Sequence, residues 1–583
     1  MNKVKVINYS ILIVLSSIVY FNWQRVNTNH FENRYYSEED GYVWKSGYEP
    51  ITIPNLTLDK YVWKNIDNWP NKIAIECSMT GRKYTYAELK SLSSKTAVGL
   101  SKKYGLSEGD VIAIVLRNLP EYPIIVLGAI EAGMIVTTIN PLSTSEEISR
   151  QLISSSAKIA FGMPDTVDAL VMAKQKPALS DLIIFLVKSG IGIEDIPDGM
   201  FDFTEVLQEN PVESETVFAS RNLDDTCLLP FSSGTSGLPK GVMLTHRNIV
   251  ANCEMLKAKL PNEPFILPTT EEHQDVIPFA LPFSHIYGLT SVLLSKLSEG
   301  CKIITIPKFQ SDSFIDVLVK YKATVLFVVP PICQFLANNE KVQPNHLATV
   351  RNIMTAAAPV GTHEAKLIFQ KAPHIRIIQG YGLTEASPRL FLGQLGSKNY
   401  GSIGWPLPST EVKIVEIDDK YFRGVDVNVE GELLARSASI MKGYLNNSEA
   451  TKETILANGW LRTGDIASYD ENGDFYIKDR LKELIKVKGF PVAPAELESL
   501  LRTHTKVSDA GVIGVRHERF GEVPKAFVVR KENYDVSEGE LQQFVADKLS
   551  EFKQLRGGVE FVEEIPKNPS GKILRRLLKK NTV

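Results

Sequence analysis

The chain has 583 residues, more than one hydrophobic core usually organises, so two or more domains are expected. Apolar residues make up 44% and charged residues 23%, an ordinary globular balance, and Lys+Arg 65 against Asp+Glu 68 leaves a formal charge of −3. That charge gives no electrostatic basis for a nucleic-acid partner, and five scattered cysteines without CxxC spacing argue against a zinc site or a disulfide framework.

Residues 6–21 read VINYSILIVLSSIVYF, an uncharged run with Lys3 and Lys5 before it and Arg25 after. A membrane anchor over 1–25, a secretory signal and an interfacial helix all suit such a run. The bulky Phe21-Asn22-Trp23-Gln24 offers no small-x-small cleavage site, which favours the anchor. Lys3 and Lys5 would place the N-terminus in the cytosol and the enzyme in a lumen, where ATP and CoA are scarce. Arg25 and Arg34 partly offset that bias, so the orientation stays open, with the cytosolic face the preferred reading. Residues 26–45 are polar and aromatic and read as a linker. From 46 onward strand and helix signals alternate: VIAIVLR (111–117) as a buried strand, LPEYPIIVLGAIEAG as a helix, MIVTTI as a strand, and STSEEISRQLISSS as a helix with a capping-box pattern. The same rhythm returns at TVLFVVPP (324–331) and IRIIQGYG (375–382), so the expectation is an α/β domain of largely parallel sheets flanked by helices. After Gly401 the segments shorten and alternate, with a hairpin expected at Asn472-Gly473. From Arg480 to residue 583 a smaller α+β unit is expected, with ELESLLRTH and ELQQFVADKLSEF as helices and AGVIGVR and PKAFVVR as strands. The chain ends Lys-Lys-Asn-Thr-Val, without the peroxisomal Ser-Lys-Leu signal.

Chemistry concentrates at FSSGTSGLPKGVMLTH (231–246). Glycines, hydroxyls and one lysine, read as a loop between the strand TCLLPF and a helix beginning HRNIVAN, would bring many short donors to one polyphosphate. The spacing is not GxxxxGK[ST], because Gly241 follows Lys240, so a P-loop of the nucleotide-switch kind is excluded.

SSGTSGLPKG resembles the phosphate loop of the adenylate-forming superfamily, which includes acyl-CoA synthetases and luciferases. YGLTE (381–385), RTGD (462–465), KDRLKELIKVKG (478–489) and PSGKILRR (569–576) follow in that family's order. The resemblance extends over nearly everything after residue 45 and lies nearest the 4-coumarate–CoA ligase-like enzymes. It implies a large AMP-binding domain over 46–479 with a small β-barrel-like part, and a mobile lid over 480–583. The implied reaction joins a carboxylic acid to ATP as acyl-AMP, then to CoA as a thioester, with Mg²⁺. A luciferase-type monooxygenase and a membrane-tethered inactive homologue remain the alternatives, and the oligomeric state stays open.

Residue by residue, the resemblance places Ser232, Ser233, Gly234, Thr235, Ser236 and Lys240 on the phosphates, position 236 being Ser where the family most often has Thr. Gln379, Gly380, Tyr381 and Thr384 would surround adenine and the α-phosphate, and Glu385 would hold Mg²⁺ as a hard carboxylate beside phosphate oxygens. Asp465 and Arg480 would meet the ribose, with Asp479 as the hinge. Lys572 is the expected catalytic cation of adenylation, with His285, Thr384 and Glu385 beside the reacting groups. His285, Tyr287, Ala357 and Gly382 would line the acid pocket, and Lys308, Lys488 and Gly489 the CoA channel. Two residues after Gly489 the family's usual Gln is replaced by Pro491, which removes one expected lid contact to AMP.

Overall fold

The computed structural model describes residues 33–583 except 191–193, 210–220, 233–238, 258–263, 357–361, 395, 418, 482, 488–489, 518, 569–570 and 581–583. The expected anchor therefore lies outside the described residues, among which no helix is long and apolar enough to cross a membrane.

The βαβ rhythm produces the parallel sheets it implies. Val111–Ile114, buried at every position, pairs in parallel with Ile135–Thr138 on one side and Ala157–Gly162 on the other. Helices on both faces remove the need for a polar side, hence the continuous apolar run. Ser145–Ser155 starts where expected, because Thr144 and Glu147 exchange capping hydrogen bonds, and it turns Ile148 and Leu152 inward. A second sheet stacks Val276–Phe279, Lys302–Thr305 and Ile73–Cys77 in parallel. A third runs Val325–Val328, Asn352–Thr355 and Arg376–Gly382 in parallel, then turns antiparallel through Arg389–Leu392. All five cysteines are buried free thiols.

The part expected to be barrel-like is a six-stranded antiparallel sheet, in the order Arg34–Ser37, Gly41–Lys45, Glu411–Val415, Gly431–Arg436, Leu461–Tyr469, Phe475–Arg480. Its last two strands form the hairpin expected at Asn472-Gly473. Its first two correct the linker reading of 26–45: residues 34–45 are a hairpin paired to Glu411–Val415 through Trp44 and Lys45. Trp44 packs edge-on against Tyr469 at 5.3 Å, and Asp40 accepts from Lys413 Nζ at 2.6 Å and from Trp460 Nε1 at 2.9 Å. Two alternations this short, split by an acidic turn, read as polar sequence although the second buries Val43 and Trp44.

A second correction concerns the glycine-rich stretch. Lys240–Thr245 is itself a strand, antiparallel to Phe231–Ser232 with Ser232 opposite Lys240, and the helix His246–Leu256 begins only after it. The helix expected directly after the glycine-rich stretch is therefore separated from it by this strand. Val242 and Leu244 point inward while Met243 stays partly open, an alternation too short to stand out beside the glycine-rich stretch before it.

The C-terminal unit has the α+β form expected. Val507–His517 and Gly521–Arg530 pair antiparallel, Ile485–Val487 and Phe490–Val492 extend one edge, and Pro494–Arg502 and Glu538–Ala546 pack against them. Pro491 sits in the edge strand, where a missing backbone donor breaks no further ladder.

Candidate active site

The parallel strand Arg376–Gly382 delivers QGYG to the end of its sheet. Gly382 is required there: a Cβ would lie 1.9 Å from the Pro388 carbonyl oxygen. The short 3₁₀ turn Thr384–Ala386 follows and buries Glu385. Glu385 Oε1 accepts from Ser232 Oγ at 2.8 Å and from Tyr444 Oη at 2.9 Å, while no described residue bonds Oε2. Lys240 Nζ lies 4.9 Å from the centre of the Tyr444 ring, so the base of the glycine-rich hairpin, Glu385 and Tyr444 form one cluster.

A second cluster adjoins it. Asp465, buried, accepts from Tyr381 Oη at 2.5 Å through Oδ2 and from Arg480 Nε at 2.6 Å through Oδ1. Burial pushes the Asp465 carboxyl up against the opposing pull of Arg480 and Tyr381. Each oxygen keeps a second lone pair, which is the acceptor capacity a ribose diol needs.

Lys572 reaches this cluster from the lid. Its turn is held by Lys572 N donating to Asn568 Oδ1 at 2.9 Å and Gly571 N to Asn568 O at 2.8 Å. Gly571 has φ +83° and lies so close to Pro331 that a Cβ would stand 3.0 Å from Pro331 Cδ. The Lys572 side chain stays open to solvent, yet crowding by protein atoms and the charge of Arg480 lower its pKa to about 8, against Asp465 and Glu483. Asp479, expected as the hinge, is buried, accepting from Arg480 N at 2.6 Å and from Ala495 N at 2.8 Å in the first turn of Pro494–Arg502. Burial, reinforced by Glu498, raises its pKa to about 6 against those amides and Arg575.

In the acid-pocket region Tyr287 is buried, its backbone amide donating to His285 Nδ1 at 3.2 Å and its hydroxyl meeting Met354 O at 3.5 Å. Surrounding protein lowers the His285 pKa to about 4, which leaves a neutral imidazole at pH 7 although the ring borders solvent. Lys308 is exposed in the loop after Lys302–Thr305. Gln379 differs from expectation: its side-chain amide donates to the carbonyls of Tyr400 and Ser402, which leaves mainly backbone for a nucleotide. Ser233, Gly234, Thr235, Ser236, Ala357, Lys488 and Gly489 lie outside the described residues.

Two residues escaped the sequence reading. Tyr444 belongs to a two-residue strand paired with Val242, and nothing in MKGYLNN marks it. Arg389 was visible as the one charge in the apolar strand RLFL. Among the described residues no three His, Cys, Asp or Glu converge on a metal position. A single carboxylate with a free oxygen still suits Mg²⁺, which takes most of its ligands from phosphates and water.

A profile of AMP-binding enzymes matches residues 62–445, and one of the AMP-binding enzyme C-terminal domain matches 496–572. The chain is 38% identical to 4-coumarate–CoA ligase 3 of Oryza sativa subsp. japonica over 93% of this chain and 95% of that one. It is 39% identical to 4-coumarate–CoA ligase 1 of Petroselinum crispum over 92% and 96% of the two chains. Among solved structures it is similar to ATP-bound MatB from Rhodopseudomonas palustris, with TM-score 0.79 and 26% identity over 90% and 98% of the two chains.

Proposed function

The chain belongs to the AMP-binding enzyme family and is an AMP-forming acid–CoA ligase, and we infer that its acid carries a hydrophobic body, aryl or fatty. The observation that carries the site assignment is the approach of Lys572 to Asp465, close enough for the two charges to act on each other, with Arg480 paired to the same carboxylate.

In the first half-reaction a carboxylate oxygen of the acid attacks the α-phosphorus of ATP and pyrophosphate leaves. Two anions must approach, so the need is for fixed positive charge more than for an acid or base. Lys572 stands between the carboxylate and the α-phosphate, while Lys240 and the 232–236 hydroxyls and amides hold the outer phosphates. Glu385 Oε2 and the phosphates would hold Mg²⁺, which neutralises phosphate charge. Asp465 binds the ribose hydroxyls and Arg480 keeps that carboxylate ionised and oriented. The acid lies against Tyr287 and Gly382 with His285, neutral, beside its carboxylate. In the second half-reaction the lid turns about Asp479, withdraws Lys572 and brings Lys488 and Gly489 beside Lys308 along the CoA path. The CoA thiol then attacks the acyl carbonyl and AMP leaves. The uncharged segment 6–21 anchors the enzyme to a membrane in this reading, on the strength of its sequence.

A carboxylic-acid screen reading AMP release with and without CoA tests the assignment. CoA-dependent release is expected for aryl or fatty acids. Light or oxygen uptake with CoA-independent turnover, or silence with every acid, would overturn it.

A further inference from the structure

Arg389 is buried, with 3% of its surface exposed, and its guanidinium makes no hydrogen bond and meets no carboxylate among the described residues. Other buried cations in this chain are matched: Lys413 by Asp40 at 2.6 Å, Arg575 by Glu498 at 2.9 Å, Arg221 by Asp59 at 3.2 Å. The Arg389 Cζ lies 5.7 Å from the centre of the Tyr287 ring, and its Nε lies 3.1 Å from where a Gly380 Cβ would stand. Nη2 is shut off from solvent without a partner.

The backbone holds this arrangement in place. Asn252 Nδ2 donates to Arg389 O at 2.8 Å, and the strand Arg389–Leu392 pairs with Arg376–Gly382, placing Arg389 opposite Gly382. Tyr381 and Phe391 pack together at 5.8 Å on the other face, so Arg389 belongs to the face of Gly380 and Tyr287. A desolvated guanidinium beside a ring gains a cation–π contact, which is far less than it loses on leaving water. An arginine in such a place is satisfied when a ligand supplies the missing anion, and its planar fork matches a carboxylate bidentately.

We propose that the acid activated here carries a second carboxylate, at the end remote from the reacting one, which pairs with Arg389 in the pocket walled by Tyr287 and Gly380. This rests on the acid–CoA ligase reading and narrows its substrate to a dicarboxylic acid with a hydrophobic middle. The reacting carboxylate remains with Lys572 and His285, while the remote one fixes orientation, so each acid is bound in a single sense.

The test uses the full chain with matched acids that differ only at the far end. The pairs are 4-carboxycinnamate with 4-methylcinnamate, and straight-chain dicarboxylates of several lengths with the fatty acids that carry methyl in place of the far carboxylate. Wild type is expected to favour one diacid over its methyl partner by roughly 100-fold or more in kcat/KM for CoA-dependent AMP release. Arg389→Met should reverse that order, and Arg389→Lys should keep its direction. The preferred diacid should raise the Tm of wild type and not that of Arg389→Met. Equal or better turnover of the methyl-ended acids by wild type would overturn the proposal while leaving the ligase reading intact. A phenol-ended acid such as 4-coumarate outpacing 4-carboxycinnamate in wild type would overturn it equally. No turnover of any acid would fail the ligase reading instead. Should Arg389→Met not fold, the wild-type order of acids and the Tm shift decide by themselves.

Discussion

At the scale of the residue, Lys572 carries the sharpest expectation. In the proposed reaction its charge is needed where carboxylate and α-phosphate meet, so Lys572→Ala should slow acyl-AMP formation by about 10²–10³-fold. Conversion of supplied acyl-AMP to the thioester should stay within about 3-fold, since the turned lid has withdrawn the side chain. With its pKa lowered to about 8, the ammonium is intact below that pH and is lost above it. The free enzyme's kcat/KM for ATP in adenylation should therefore fall as pH rises through about 8. Lys572→Arg, which does not titrate in that range, should remove the fall even where its turnover is lower. A flat wild-type profile between pH 7 and 9 would deny Lys572 that role. Glu385 offers a different readout. Glu385→Gln preserves an acceptor for Ser232 and Tyr444 but loses the charge at Oε2, so the Mg²⁺ needed for half-maximal adenylation should rise about 10-fold. An unchanged Mg²⁺ titration would remove Glu385 from the metal.

At the scale of the element, the helix Pro494–Arg502 links Asp479, the proposed hinge, to the segment that carries Lys572, the proposed catalytic cation. Its first turn is held by Asp479 through Ala495 N. One turn on, Glu498 accepts from Val512 N at 2.9 Å and from Arg575 Nη2 at 2.9 and 3.0 Å, and Arg575 follows Lys572 by three residues. The pair is buried, so breaking it by Glu498→Gln should cost about 3–5 kcal/mol at most and slow adenylation more than thioester formation. Replacing both partners with apolar residues, Glu498→Leu with Arg575→Met, should recover most of the lost Tm without recovering adenylation. Recovery of both together would mean the pair serves packing alone. This helix was legible from ELESLLRTH, whose apolar spacing gives one inward face, but its partners were not. Glu498 and Arg575 are 77 positions apart, and no periodicity connects them.

At the scale of the whole molecule, the N-terminal boundary separates two kinds of segment. Removing residues 1–32 should leave Tm and ligase activity unchanged and move the protein from the vesicle-bound to the aqueous fraction. Removing 1–45 takes away the strand Gly41–Lys45 and the acceptor of buried Lys413, whose relative exposure at the side chain is 1%. That larger truncation should lower stability by about 3–5 kcal/mol, read as a fall in Tm or loss of soluble protein. Equal Tm values for the two truncations would show that the hairpin is dispensable.

Local signals were enough for much of this. Val111–Ile114, Ser145–Ser155 and the turn at Asn472-Gly473 follow from burial on both faces, a capping box and turn chemistry, each contained within a dozen residues. The ordered motifs likewise singled out Glu385, Asp465 and Lys572 as candidates, because backbone-proximal chemistry travels with short sequence. Only the tertiary structure made Lys240–Thr245 a strand, since its partners Thr226–Leu228 and Gly443–Tyr444 supply the hydrogen bonds that its short sequence, with Gly241 inside it, does not announce. It alone set Tyr444 against Glu385, turned the Gln379 amide toward Tyr400, and left Arg389 beside Tyr287 without an anion among the described residues. Burial and pairing are properties of two surfaces meeting, and a one-dimensional pattern records only one of them.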